Sequence, residues 1–476
     1  MTPCTRYPVN GTHSPVPDSR CPLTASRYRL PESRDLFRIA AFATLFSSFA
    51  QAINAQPAHP PPFAAAASEA AVPGSELTVY LMTMGSGDEV WEKFGHNAIW
   101  IHDSIHQTDV AYNWGLFDFN AVDFFPRFLK GDMLYWMGGF DLQSTIDVYR
   151  QANRPVWAQE LNLTPAQRLS LARFIEWNAR PENRFYHYDY FRDNCSTRVR
   201  DVLDRALGGV IRRSTERLPS GTTYRSHTRR LTQNDPWVYV GTLLGLGHPV
   251  DRPISRWDEM FLPVRLRDDI RAIRVRDESG ASVRLVKGEQ TLFASTRPPE
   301  PLEPRSHTPV YFVIGMLVLF VALVLRHAAD AGSRGARISL ILFTGFWNLV
   351  VGVLGTGLAA LWLFTNHVYS YYNENLFQAN PLSLILVVMI FASIRGRRSG
   401  EGIVGSSTER LASIVAVLAL IGFVIQILPA FNQVNGEIIA MILPAHIGVA
   451  LALRRHSPWP ARVVAPVAPV APTPAT

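Results

Sequence analysis

Five long apolar runs fill the C-terminal third of the chain. Pro309–Leu325 is nearly unbroken, Ile338–Thr365 is interrupted by Asn348 and several glycines, and Leu376–Ile394, Leu411–Leu428 and Ile438–Leu453 come after it. A helix needs about 20 apolar residues to cross a bilayer. Three runs are long enough as they stand and two can extend into their flanks, so the pattern predicts a transmembrane bundle of about five spans over residues 310–455.

Upstream the pattern changes period. Glu76–Met84 is a β-branched and aromatic run that reads as a strand, His96–His102 alternates and reads as a second strand, and Asp109–Trp114 as a third. Thr164-Pro165 is an N-cap followed by proline at the first helical position, and it opens a helix to Asn178. Val199, Val202, Leu203, Ala206 and Leu207 share one face of another helix, which Gly208-Gly209 ends. Ile273–Phe293 reads as a hairpin about Ser279-Gly280. Residues 76–296 are thus expected to form an α+β domain, joined to the spans by a stiff Pro-rich tether at 297–309.

The N-terminal segment has its own signature. Residues 1–36 are polar; Phe37–Ala50 is a short apolar run behind basic residues, followed by Ala50-Gln51-Ala52 and Ile53-Asn54-Ala55. That is the pattern of a secretory signal peptide, with an N-terminal anchor as the alternative; both would export the downstream chain. Residues 1–55 are read as leader and signal peptide, 56–75 as a linker and 456–476 as a Pro/Ala/Val tail.

Charge changes the picture once it is mapped. The 476 residues carry a formal charge of +7, which invites a nucleic-acid reading. Ten basic residues (Arg326, Arg334, Arg337, Arg395, Arg397, Arg398, Arg410, Arg454, Arg455 and Arg462) fall in alternate inter-span segments and the tail, with only three acidic ones. The loops Asn366–Asn375 and Pro429–Glu437 hold no Lys or Arg. The excess obeys the positive-inside rule and places the C-terminus in the cytoplasm. No nucleic-acid partner is expected.

Cysteine use narrows the chemistry. Of three cysteines, Cys4 and Cys21 lie in the leader, and Cys195 has no disulfide partner in the exported domain. No Cys/His cluster has zinc spacing, and neither metal nor cofactor is implied. Asp193 or Asn194 is a natural N-cap, so Cys195 falls in a first helical turn, where free N–H groups and the helix dipole favour a thiolate or an oxyanion. The alternative is a buried, inert cysteine. His96 read alone is equally a strand-end histidine satisfied by backbone.

Gly95–Ile101, Asp109–Phe119, Asn153-Arg154, Gln159–Thr164, Pro181–Arg184 and Tyr188–Arg198 together resemble the Lnb family (DUF4105), bacterial apolipoprotein N-acyltransferases. The resemblance covers roughly residues 75–290 and extends into the spans. It implies a periplasmic domain of the permuted papain-like kind, akin to lecithin:retinol acyltransferase and NlpC/P60 hydrolases, with the histidine strand before the cysteine helix. It implies a multi-pass protein of the bacterial inner membrane. Its activity would pass an acyl chain from a phospholipid donor, through a cysteine thioester, to the amine of a diacylated lipoprotein. Cys195 would be the nucleophile and His96 its base. Asn113, Asp109 and His106 are candidates to orient the imidazole, Asn113 being favoured. Asp189, Tyr190 and Asn194 are candidates to line the site, or to form a structural network beneath the helix. His367, in an aromatic outside loop, is a candidate for headgroup contact, or part of an interfacial belt. Asn348 and His446, inside spans, read as interhelical hydrogen-bond partners before site groups. Two other readings stay open at this level: a thiol hydrolase of lipid esters or peptidoglycan peptides, and a non-catalytic membrane-tethered binding domain.

Overall fold

The computed structural model describes residues 72–395 and 403–454. Cys4 and Cys21, the signal segment, nearly all of the linker and the 456–476 tail lie outside the described residues.

The N-terminal domain is built on a seven-stranded antiparallel sheet. Its strands are β1 (Leu77–Met84), β2 (His96–Asp103), β3 (Thr108–Leu116), β4 (Leu134–Asp141), β5 (Val156–Leu161), β6 (Phe185–His187) and β7 (Val286–Phe293), in the order β7-β5-β1-β2-β3-β4-β6. The helices that matter here are α1 (Phe124–Lys130), α2 (Leu142–Gln151), α3 (Pro165–Ala179), α4 (Cys195–Ala206), α5 (Tyr224–Thr232) and α6 (Pro236–Gly245). Strand alternation gives the sheet two apolar faces. Val79, Leu81, Ile99, Ile101 and Tyr112 pack against Leu171 and Ile175 of α3 and Val199, Val202 and Leu203 of α4. Met82, Ala98, Trp100 and Ala111 pack on the opposite face, against Ile146 of α2. The helix read from Thr164-Pro165 carries a full capping box, with the Thr164 and Gln167 side chains each bonded to the other's backbone.

The 273–293 stretch departs from the expected single hairpin. Only Arg274–Arg276 and Ser282–Arg284 pair with each other. Leu285 is fully buried in the main core and draws the chain across, so Val286–Phe293 pairs with β5 as an edge strand of the large sheet.

Among the described residues, five helices are long and apolar enough to cross a membrane: Thr308–Asp330, Arg334–Phe364, Glu374–Ser393, Ser406–Ile427 and Gly436–Leu453. The first and fifth pack through glycines. A Cβ on Gly315 would stand 2.4 Å from Met441 O, and one on Gly448 would stand 2.5 Å from Leu319 Cα, so each admits the partner backbone. Arg326 donates to the carbonyls of Ala452 and Arg454, closing the last turn of the fifth span. His446 bonds the carbonyl of Gln378 on another span, while Asn348 donates to Thr344 O within its own helix.

Residues 224–251 are seated on the bundle. Tyr239, Leu243 and Leu244 of α6 share a core with Val351, Leu358, Ala379, Ile438 and Ile442 of the spans. Glu437 Oε2 accepts from the Tyr239 hydroxyl at 2.7 Å, and Oε1 accepts from Arg229 at 3.1 Å and from the His307 N–H at 2.7 Å. Asn373 and Asn375, at the start of the third span, donate to the carbonyls of Leu244 and Leu243 and so cap α6. The Pro-rich 297–309 segment is held along its length, by Arg230 on Glu300 and Pro301 O and by Gln233 on the Arg305 N–H.

Candidate active site

The site forms where the start of β2 meets the start of α4. Asn194 caps α4. Its Oδ1 accepts from the N–H groups of Ser196 and Thr197 at 2.9 Å, and its Nδ2 donates to Tyr190 O and Phe261 O. Every hydrogen-bonding atom of that side chain is engaged, so Asn194 positions the helix. Cys195 is the first residue of the helix. Its thiol lies within hydrogen-bonding reach of the backbone N–H groups of Asn97, Ser196 and Cys195 itself. The Ser196 hydroxyl donates to Asn97 Oδ1 at 2.8 Å and clamps the helix start to β2 beside His96.

The imidazole of His96 has a defined tautomer. Asn113 Nδ2 donates to Ala111 O at 3.0 Å, which turns Asn113 Oδ1 toward His96 Nε2, also at 3.0 Å. Nε2 therefore carries the proton and Nδ1 is left as a base. The other two candidates for this role are engaged elsewhere: Asp109 accepts from Trp100 Nε1 and pairs with His102, and His106 pairs with Asp103.

Cys195 and His96 each keep an opening to the surface, yet protein atoms crowd them on nearly every side. Burial pushes the thiol up to about 11, outweighing the three N–H groups and nearby Arg154. Burial also holds the imidazole down, to about 4, against the Asn113 bond. Burial thus opposes the helix-start effect at the thiol and shifts both groups toward their neutral forms. Alkylation of Cys195 by iodoacetamide should therefore rise about tenfold per pH unit from pH 8 to 10 and level off only near 11. A plateau reached by pH 8 in the stopped-time alkylation profile would contradict the neutral pair.

Several residues of the site carry no signal that singles them out in the sequence. Gly115 sits at φ +89°, where a Cβ would stand 3.4 Å from Cys195 Cβ, so the absent side chain lets Cys195 approach β3. Tyr149 stacks near His96, with ring centres 6.4 Å apart, and carries the Arg154 guanidinium over its ring at 4.7 Å. Arg154 is buried in an ion pair with Glu92 at 2.9 Å. Tyr186 and Tyr188 flank Gly115, and the buried Tyr186 hydroxyl has no protein partner. Arg154, Tyr186 and Tyr188 stand in or beside the quoted motifs, but only the fold brings them to the thiol.

The other candidates sit toward the membrane. Asp189 Oδ1 accepts from the N–H groups of Phe191 and Arg192 and from the Tyr369 hydroxyl at 3.0 Å, tying the turn before α4 to the loop after the second span. Tyr190 is exposed and stacks on His367, with ring centres 6.3 Å apart. His367 Nε2 bonds the Phe128 carbonyl at 2.9 Å. Asp189, Tyr190 and His367 thus join the domain to the membrane loop and stand apart from the His96–Asn113 pair.

Two family models match this sequence: the Lnb N-terminal periplasmic domain over residues 64–230 and the Lnb transmembrane domain over residues 302–451. The chain belongs to the Lnb family. No curated protein and no solved structure matches it. The Lnb assignment makes it a multi-pass membrane protein with a periplasmic N-terminal domain. The fold is α+β, with the histidine strand β2 preceding the cysteine helix α4 in the chain. The Lnb periplasmic match ends within α5, so α6 and β7 lie between the two matched regions.

Proposed function

We propose that this Lnb-family chain is an N-acyltransferase of the bacterial inner membrane, with its C-terminus in the cytoplasm. It moves an acyl chain from a phospholipid, through a thioester on Cys195, to the N-terminal amine of a diacylglyceryl lipoprotein. The observation that carries this reading is a cysteine at the first turn of α4, clamped to β2 at Asn97, the residue after His96, whose imidazole Asn113 holds with Nδ1 as the base, in a domain that shares a core with the second, third and fifth spans.

In the first half-reaction Cys195 Sγ attacks the ester carbonyl of the phospholipid as His96 Nδ1 takes the thiol proton. The carbonyl oxygen becomes an oxyanion, for which the Cys195 N–H and the unpartnered Tyr186 hydroxyl are the available donors. The C–O ester bond breaks, His96 returns the proton to the departing alcohol, and a lysophospholipid leaves. In the second half-reaction the lipoprotein amine attacks the thioester, His96 accepts the amine proton, and the C–S bond breaks. The thiolate is reprotonated and the product is an amide.

The test is reconstitution of the purified full chain with phospholipid and a diacylated lipopeptide, then mass spectrometry of the peptide N-terminus. An added acyl mass is expected; a free amine after exhaustive incubation would sink the proposal. Asn113 holds the base in its tautomer, so Asn113→Ala should lower turnover by about 10²-fold with little change in thermal midpoint, the cost of a misaligned group. Turnover within twofold of wild type would remove Asn113 from the mechanism.

A further inference from the structure

Helix α1, Phe124–Lys130, has no buried residue although its sequence is Phe-Phe-Pro-Arg-Phe-Leu-Lys. Phe125 and Leu129, one turn apart on the helix, are 65% and 66% exposed, and Val122 in the turn before it is 101% exposed. An apolar stripe left this open on a folded domain marks a surface with a partner. Its position names the partner. The Lys130 carbonyl accepts from the Asn366 N–H at 2.7 Å, and the Phe128 carbonyl accepts from His367. Asn366 is two residues beyond the end of the second span, whose last residues Leu363 and Phe364 are themselves 68% and 79% exposed. The stripe therefore lies at the level where the span leaves the bilayer, continuous with the span's lipid-facing surface. Arg127 and Lys130 flank it, as basic residues flank helices lying in a membrane interface.

The inner side of α1 leads to the thiol. Phe124 packs on Phe117 with ring centres 5.9 Å apart, Phe117 on Tyr135 at 5.0 Å, and Tyr135 on Tyr188 at 4.3 Å. Tyr188 in turn stands 3.8 Å from the empty Cβ position of Gly115, and Cys195 Cβ stands 3.4 Å from it. Aromatic rings thus run without a break from the exposed helix to the nucleophile.

We propose that α1 inserts Phe125 and Leu129, with Val122 of the preceding turn, into the outer leaflet of the membrane, and that the aromatic row behind them guides a phospholipid acyl chain to Cys195. The insertion stands on its own; the guiding role rests on the acyl-transfer reading.

The two parts are tested separately. For insertion, a nitroxide label is placed by Leu129→Cys in a full-length chain whose native cysteines are serine, reconstituted in vesicles of zwitterionic and anionic phospholipid. A label at Glu278→Cys, on the exposed 274–284 hairpin, is the aqueous control. The Leu129 label should be relaxed more by oxygen than by a water-soluble nickel chelate, and the control the reverse. Equal nickel access at both positions would overturn insertion, as would protection of the Leu129 label in detergent micelles only when two chains associate, which would make the stripe a dimer surface. For guiding, Phe125→Ser/Leu129→Ser in the otherwise native chain should slow Cys195 thioester formation from vesicle phospholipid at least tenfold. Thioester formation from a short-chain phospholipid in micelles should stay within twofold. Equal loss with both donors would overturn the guiding role. A native chain that forms no thioester with either donor would remove the acyl reading and the guiding role with it, while the labels still decide insertion.

Discussion

Replacing Cys195 by alanine should abolish acyl transfer completely. The change removes one sulfur from the first turn of α4, where Asn194, Ser196 and Thr197 hold the cap without help from the thiol. The variant should therefore keep its thermal midpoint and its place in the membrane. In cells depleted of their own lipoprotein N-acyltransferase, the native chain should restore N-acylated lipoproteins, and Cys195→Ala should leave every N-terminus free. No alternative nucleophile stands at this position, so the loss should reach the limit of detection, as expected when a member of a nucleophilic pair is removed. N-acylation that survives Cys195→Ala would remove the thioester from the mechanism whatever else the protein does.

The second large effect is expected at His96. With the thiol held near 11, only about one molecule in 10⁴ carries a thiolate at neutral pH without a base. His96→Gln should therefore lower the rate of Cys195 acylation by about 10³ to 10⁴, within the range of lost general-base catalysis. The sign of the pH dependence separates this from a structural defect. As pH rises toward 11 the thiol deprotonates unaided, so the variant should recover about tenfold per unit. The native chain should be flat over the same interval, because its imidazole, held near 4, is already neutral. A pH-independent deficit would mean that glutamine has disturbed the fold instead. Since the two residues act as a unit, His96→Gln in a Cys195→Ala background should cost nothing more.

Much of this arrangement was legible in the sequence where a local pattern decides the outcome. The spans come from run length, β2 from alternation starting at His96, and the start of α4 from the Asn194 cap, because each is fixed by residues a few positions apart. The pairing of His96 with Asn113 depends on the register Ala98↔Asn113 between β2 and β3, for which only spacing gave a hint. What could not be read was set at long range or by degree. Gly115 is needed because Cys195, far along the chain, approaches it; β7 leaves its expected hairpin because Leu285 finds the main core. The protonation of the thiol is a balance of burial against N–H groups, and the helix-start pattern shows only one side of that balance. The aromatic residues at 117–135 scatter without a period, so their contiguity appears only once β3 and β4 pair.

The seating of α6 on the bundle bears on how this protein can be handled and how it has to be made. Tyr239, Leu243 and Leu244 bury themselves on the spans, and Glu437 gathers the Tyr239 hydroxyl, Arg229 and the His307 backbone. A cut in the 297–309 segment would leave that seam behind, and a soluble fragment ending near 296 would carry an apolar wound with an arginine facing no carboxylate. During biogenesis the order matters too. Residues 224–251 emerge outside the membrane before the fifth span exists to receive them, so they wait, unmated, until the last helix is inserted. The N-terminal domain thus lacks part of its packing until the membrane half is complete.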